Sequence, residues 1–190
     1  MIDYISPKTQ LPLIENQGFL VTTDGEKFPI VNTIPRFVPN NNYAAAFGLQ
    51  WETFKKTQLD SHVGIPVTRE RVERCLGQKI SDLANKNILE VGCGAGRFTE
   101  LLVEGNANVH ALDLSNAVEV NLHNIGNRTN YKVAQASVYE MPYPDNSFDI
   151  VFCLGVIQHT PSSERTIDAL YKKLKPGGLI VIDHYKWRIG

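Results

Sequence analysis

The chain has 190 residues, 19 basic against 20 acidic for a formal charge of −1, with 43% hydrophobic and 21% charged residues. That balance excludes a disordered tail, a collagen-like rod and a disulfide-stapled secreted module, and it argues against affinity built mainly on neutralising phosphates. A chain of this size should bury roughly 70% of its unfolded surface, so it can hold together without cross-links.

Met1-Ile2-Asp3-Tyr4 lacks the basic and apolar regions of a signal peptide. The most apolar strip, from Asp149 to Ile157, is far shorter than the roughly 20 residues of a membrane span. A cytoplasmic setting away from membranes is the expectation. Cys75, Cys93 and Cys153 are widely spaced and suit a reducing compartment as free, mostly buried thiols. The histidines at 62, 110, 123, 159 and 184 are equally scattered, so no metal site is expected.

Residues 1–40 carry short apolar pieces at Gly18–Val21, Phe28–Val31 and Ile34–Val38, with Asp24-Gly25 as a hairpin signal. They read as a β-ribbon too small to stand unless it packs on something larger. Residues 41–80 read as a helical lead-in. Phe47, Trp51 and Phe54 recur at helical spacing within Tyr43–Thr57, and Val72, Cys75 and Leu76 do so within Thr68–Gly77. Thr68 is placed to cap the second of these helices.

From 81 to 190 the texture alternates. Strands are predicted at Ile88–Gly92, Val109–Asp113, Tyr131–Ala134, Phe148–Leu154 and Leu179–Asp183. Helices are predicted at Arg97–Glu104, Asn116–Ile125 and Ser163–Leu174. The alternation implies an α/β fold, a doubly wound parallel sheet with right-handed crossovers.

Its most informative stretch is Leu89-Glu90-Val91-Gly92-Cys93-Gly94-Ala95-Gly96-Arg97. A buried strand runs into Gly-x-Gly-x-Gly and then a helix. Glycines let a ligand approach the main chain, and the helix start favours an anionic group. Asp113 follows Gly92 at an offset of 21, close to the roughly 20 residues of a ribose-binding acid. A dinucleotide fingerprint would need glycine where Arg97 stands. Glu90 beside the loop would repel a pyrophosphate and suit a cofactor bearing an ammonium group.

With these motifs on view, the chain over residues 68–185 resembles the class I S-adenosylmethionine-dependent methyltransferases, most of all the small-molecule group that includes ubiquinone- and menaquinone-pathway enzymes. The resemblance rests on Leu89–Gly96, Asp113, Met141–Asp149 and Leu174–Leu179, four motifs in order. It implies a sheet ordered 3-2-1-4-5, with the family's last two strands missing from a chain this short. It implies S-adenosyl-L-methionine as cofactor. Glu90 and the loop of Gly92, Cys93, Gly94 and Gly96 would hold the methionyl amine and carboxylate. Asp113 would bind the ribose and Leu114 would pack near the adenine. Ser137 replaces the family's adenine-binding Asp, leaving that contact to its hydroxyl and to Val138. Leu154 and Gly155 would line the methionyl side.

The reaction is an in-line displacement in which protein groups mainly align the reactants. His159, in the turn after the fourth strand, is the candidate base for a hydroxyl or carbon acceptor; a structural histidine capping that turn is the alternative. Asn/Asp-Pro-Pro-Tyr and Pro-Cys signatures of nucleic-acid and amide methylation are absent. The expected partner is therefore a small-molecule acceptor, with no nucleic acid. Two other readings stay open at this point, a non-catalytic cofactor-binding module and a nicotinamide dehydrogenase.

The front of the chain is similar to zinc ribbons that begin some methyltransferases, with Leu11–Ile14 and Val21–Asp24 where their cysteine pairs would stand. This implies a ribbon that has lost its metal. Gln50, behind it, is a further candidate for cofactor contact. Seven residues after the fifth strand leave no room for two more, so the sequence predicts a fragment of a larger enzyme, one whose final strand is an unpaired edge.

Overall fold

The computed structural model describes residues 1–39 and 59–184. The predicted helix over Tyr43–Thr57, and Gln50 with it, lies outside these residues. The front of the chain forms a four-stranded antiparallel sheet in the order β1-β2-β3-β4, with β1 at Ile14–Asn16, β2 at Phe19–Val21, β3 at Lys27–Val31 and β4 at Ile34–Pro35. Its two tight turns are Gln17-Gly18 and Asn32-Thr33. All four residues have positive φ, the backbone that matches the twist of a two-residue hairpin. Asp24-Gly25 instead sits in a wider loop closed by the Thr22 amide on Glu26 O at 3.0 Å.

The ribbon packs on the main sheet through one buried apolar face, in which Leu13, Leu20, Phe28 and Phe37 join Tyr143 and Phe148. The Tyr4 and Tyr143 rings lie 5.3 Å apart. Arg36 is buried; its Nη1 donates to Gln135 Oε1 at 3.2 Å and its Nη2 pairs with Glu119. The Phe37 amide donates to Gln135 O at 2.8 Å, beside a parallel bridge between Arg36 and Gln135.

Helix α1 spans Asp60–Val63 and α2 spans Val67–Leu76. Thr68 does not cap α2 as expected. It lies buried inside the first turn, and the amides of Thr68 and Arg69 donate to the Asp60 carboxylate at 3.0 and 2.8 Å. A carboxylate eight residues upstream supplies two acceptors where a threonine could supply one.

The main sheet has five parallel strands among the described residues: β5 at Asn87–Val91, β6 at Asn108–Asp113, β7 at Tyr131–Gln135, β8 at Phe148–Cys153 and β9 at Leu174–Ile182. Their order is β7-β6-β5-β8-β9, which is the expected 3-2-1-4-5 arrangement. Near-continuous apolar runs in β5, β6 and β8 suit strands covered on both faces. Helices α3 (Thr99–Glu104), α4 (Ala117–Ile125) and α5 (Ser163–Lys173) connect them. Helix α3 is shorter than predicted, because Arg97 and Phe98 belong to the turn before it. Strand β9 begins earlier than predicted, since Leu174 pairs with Phe148 before the register shifts and the Pro-Gly-Gly segment passes.

His110 is the buried exception among the polar strand residues of β6. Its Nε2 accepts from the Ile2 amide at 3.2 Å, and its ring stands edge-on to Tyr143 and Phe148. Burial, helped by the Lys132 charge, lowers its pKa from 6.5 to about 3, so it is neutral.

Candidate functional site

The carboxyl ends of β5, β6 and β8 meet on one rim of the sheet, the side on which open α/β sheets hold ligands. Gly92, Gly94 and Gly96 form the turn leaving β5, all with positive φ. The amides of Gly92 and Cys93 both donate to Leu112 O, at 2.7 and 2.9 Å, which ties the turn to β6. Protein neighbours explain two of these glycines. A Cβ on Gly92 would lie 2.1 Å from Val156 Cγ2, and one on Gly96 would lie 3.2 Å from Ile125 Cδ1. Ligand approach, the reason read from the sequence, is thus joined at both positions by close packing inside the protein.

Asp113 ends β6, half-buried. Its Oδ2 accepts from the Gly94 amide at 2.9 Å, while Oδ1 accepts from the Ser115 amide and hydroxyl at 2.8 and 2.7 Å. Three donors fix the carboxylate against the glycine turn. An ionised carboxylate offers about four lone-pair sites, so capacity remains for a further donor.

Glu90 lies on β5 and is 1% exposed. Its Oε2 accepts from the Thr99 hydroxyl at 2.7 Å, and its Oε1 has no hydrogen-bond partner among the described residues. Burial raises its pKa from 4.5 to about 8; the Thr99 bond opposes this and the Asp113 charge adds to it. A buried acid with an idle oxygen beside a glycine turn is suited to receive a cation. Cys93 and Cys153 are buried, and burial pushes both thiols up, the second to about 12. Neither is a thiolate near neutral pH.

Asn121 of α4 braces the glycine turn, a position that sequence reading missed. It is fully buried. Its Nδ2 lies within hydrogen-bond distance of Cys93 O (3.3 Å), Gly94 O (3.2 Å) and Thr99 Oγ1 (3.0 Å), and its Oδ1 accepts from the Tyr131 hydroxyl at 2.5 Å. Asn124, one turn on, donates to Ala95 O at 2.8 Å. Two asparagines of one helix therefore hold the carbonyls of Cys93, Gly94 and Ala95. The one signal available was the Asn-x-x-Asn spacing of Asn121 and Asn124 inside a helix of mixed composition.

The other candidates surround this centre. Leu114 is half-buried, its carbonyl accepting from Gln135 Nε2 at 3.0 Å. The turn after β7 is tied to Asp113 by the Ala136 amide at 3.0 Å. In that turn Ser137 Oγ accepts from the Tyr139 amide at 3.2 Å, and Val138 is buried. Leu154 is buried in the core behind β8, and the Gly155 amide donates to Asp183 Oδ1 at 2.5 Å. His159 is half-buried at the end of a short turn of helix, Ile157–His159, with its amide on Val156 O at 2.8 Å. Since Val156 packs on Gly92, this turn lies against the glycine loop.

These residues fit S-adenosylmethionine: an orphaned buried acid for its ammonium, a fixed carboxylate for ribose hydroxyls, and a glycine turn between them. Residues 89–182 match a family described as a methyltransferase domain. A ubiquinone biosynthesis O-methyltransferase of Azoarcus sp. is 32% identical over 102 residues, covering 52% of this chain and 43% of that protein. Phosphoethanolamine N-methyltransferase 2 of Caenorhabditis elegans is 36% identical over 106 residues, 53% of this chain and 24% of that protein. Among solved structures, BH2331 of Bacillus halodurans superimposes with a TM-score of 0.52 at 25% identity, over 57% of this chain and 48% of that one. This chain spans less than half the length of these curated relatives. It carries a methyltransferase domain of the class I, S-adenosylmethionine-dependent family.

Proposed function

We propose that this domain moves a methyl group from S-adenosylmethionine to a small-molecule acceptor carrying an oxygen, nitrogen or carbon nucleophile. The observation that carries the reading is the Asp113 carboxylate, held rigidly against the glycine turn by Gly94 and Ser115 with acceptor capacity to spare. In this reading Asp113 takes the ribose hydroxyls, and Glu90 faces the ammonium group. The Gly92–Gly96 turn borders the amino-acid end, and Leu114, Ser137 and Val138 border the adenine. Leu154 and Gly155 shape the methionyl side. The sulfonium supplies the reactivity, and the protein supplies alignment and a dry site. In this reading His159, in the turn after β8, takes the proton from an acceptor whose nucleophile needs to lose one.

The relatives named above are a ubiquinone biosynthesis O-methyltransferase and a phosphoethanolamine N-methyltransferase, which favours a metabolite over a nucleic acid, as does the near-zero charge. Two buried free thiols suit a reducing compartment such as the cytoplasm. No helix among the described residues is long and apolar enough to cross a membrane.

Calorimetry with S-adenosylhomocysteine tests the site. Asp113→Ala should weaken binding at least roughly 10-fold, the loss expected for hydrogen bonds to a charged group; unchanged affinity would remove the ribose assignment. Transfer of labelled methyl from S-adenosylmethionine to a metabolite extract separates an enzyme from a binding module.

A further inference from the structure

Where β8 leaves the sheet, its ladder with β9 stops. The last pair in register is Cys153 with Ile182, and beyond it the chain turns away through residues 154–160. A strand that departs in this way leaves its next amides without a main-chain acceptor on the neighbour. Asp183, the residue after Ile182, meets that need with its side chain. Its Oδ1 accepts from the Gly155 amide at 2.5 Å, and its Oδ2 pairs with Arg71 of α2 at 2.8 Å. Three elements distant in the sequence thus converge on one half-buried carboxylate.

Little else holds this end of the turn. Gly155 is exposed at φ +75°, and beyond its chain neighbours no atom among the described residues lies within 4 Å of where its Cβ would stand. Both amide atoms of the Gln158 side chain are buried without a hydrogen-bond partner among the described residues, so that side chain does not brace the turn through hydrogen bonds. The far end is tied to α5, where Thr166 Oγ1 donates to Thr160 Oγ1 at 2.8 Å. Between the two ties stand Val156, packed against Gly92, and His159.

We infer that Asp183 is a positioning residue. It fixes the Gly155 end of the turn, and through it the wall that Leu154, Gly155 and Val156 present to the methionyl end of the cofactor. The inference rests on the cofactor reading above. A wall held in place before the cofactor arrives reduces the ordering that binding must impose. A carboxamide at position 183 still offers an oxygen to the Gly155 amide but no charge to Arg71, so two substitutions separate the tether from the ion pair.

The test uses the full chain with Asp183→Ala and Asp183→Asn, well below each melting temperature. Proton exchange at the Gly155 amide is read by NMR, and S-adenosylhomocysteine affinity by calorimetry. Asp183→Ala should speed exchange at Gly155 roughly 10- to 100-fold, the factor for one hydrogen bond to a charged group. It should weaken S-adenosylhomocysteine roughly 3- to 10-fold, through lost pre-ordering alone. Asp183→Asn should bring both readouts back to within about threefold of wild type. If the alanine variant does not fold, Asp183→Val, better suited to a strand end, takes its place. A residue that only stabilises the fold would lower both melting temperatures and leave Gly155 exchange and affinity alone. The inference is overturned by unchanged Gly155 exchange in Asp183→Ala, or by faster exchange with unchanged affinity. An asparagine variant as impaired as alanine also overturns it, since the effect would then belong to the ion pair with Arg71. If wild type binds no S-adenosylhomocysteine, the cofactor reading fails, and exchange at Gly155 decides by itself whether Asp183 holds the turn.

Discussion

Glu90→Gln should make the cofactor-free protein less sensitive to pH while damaging its site. The Glu90 carboxyl is raised from 4.5 to about 8 by burial. A group with a raised folded-state pKa contributes stability that is present below its unfolded value and is lost as pH rises towards the folded one. Each pKa unit corresponds to about 1.4 kcal/mol. Between pH 5 and 7.5 the wild type should therefore lose roughly 3 kcal/mol that the glutamine variant keeps. For a chain of this length that is about 6–12 °C in melting temperature.

Urea unfolding of both proteins at half-unit steps across that range measures the effect. Comparing slopes cancels any constant cost of burying an amide at position 90. The same variant should bind S-adenosylhomocysteine more weakly, because it offers the ammonium group no charge. Parallel slopes would refute the account of Glu90 as an acid held without a charge partner. They would mean that Oε1, unpartnered here, is solvated or paired in solution.

Two further substitutions probe the frame around the site. His110→Gln should flatten the acid limb of the stability curve. A histidine lowered from 6.5 to about 3 contributes stability that is present above pH 6.5 and lost as pH falls towards 3, up to roughly 5 kcal/mol; an unchanged acid limb in urea titrations would place the sensitivity elsewhere. Gly92→Ala should destabilise by at least about 2 kcal/mol, since it combines a Cβ 2.1 Å from Val156 Cγ2 with a φ of +77°. Adding Val156→Ala removes the clash and leaves the backbone strain. Thermal melts should therefore show partial recovery, and full recovery or none would each contradict that division.

The strands were legible because their apolar runs are long, as Ile150–Leu154 illustrates, and because glycines or asparagines punctuate them. Asp113 was legible by its distance from the glycines alone. Less visible was whatever depends on a partner far along the chain. Thr68 has the chemistry of a cap, yet Asp60 reaches its amide first and offers two oxygens. Gly92 shows a tight turn in any reading, but nothing local announces that Val156 will fill the space beside it. Asn121 is one of four polar residues in its helix, with nothing local to mark it as buried, and its partners lie 28 and 27 residues upstream. Arg36 looked like one basic residue of a ribbon. It is a buried cation because Gln135 and Glu119 meet it.

The seam between ribbon and sheet has a kinetic meaning. Its contacts join Ile2 to His110 across 108 positions and Arg36 to Gln135 across 99. Loops of that span close slowly, and the acceptors exist only after β6 and β7 have paired. The ribbon, synthesised before the main sheet, is thus among the last parts to be locked. Until then Leu20, Phe28 and Phe37 lack the apolar surface of the main sheet, and the β7 edge that Phe37 will cover stays open. The order of assembly runs against the order of synthesis.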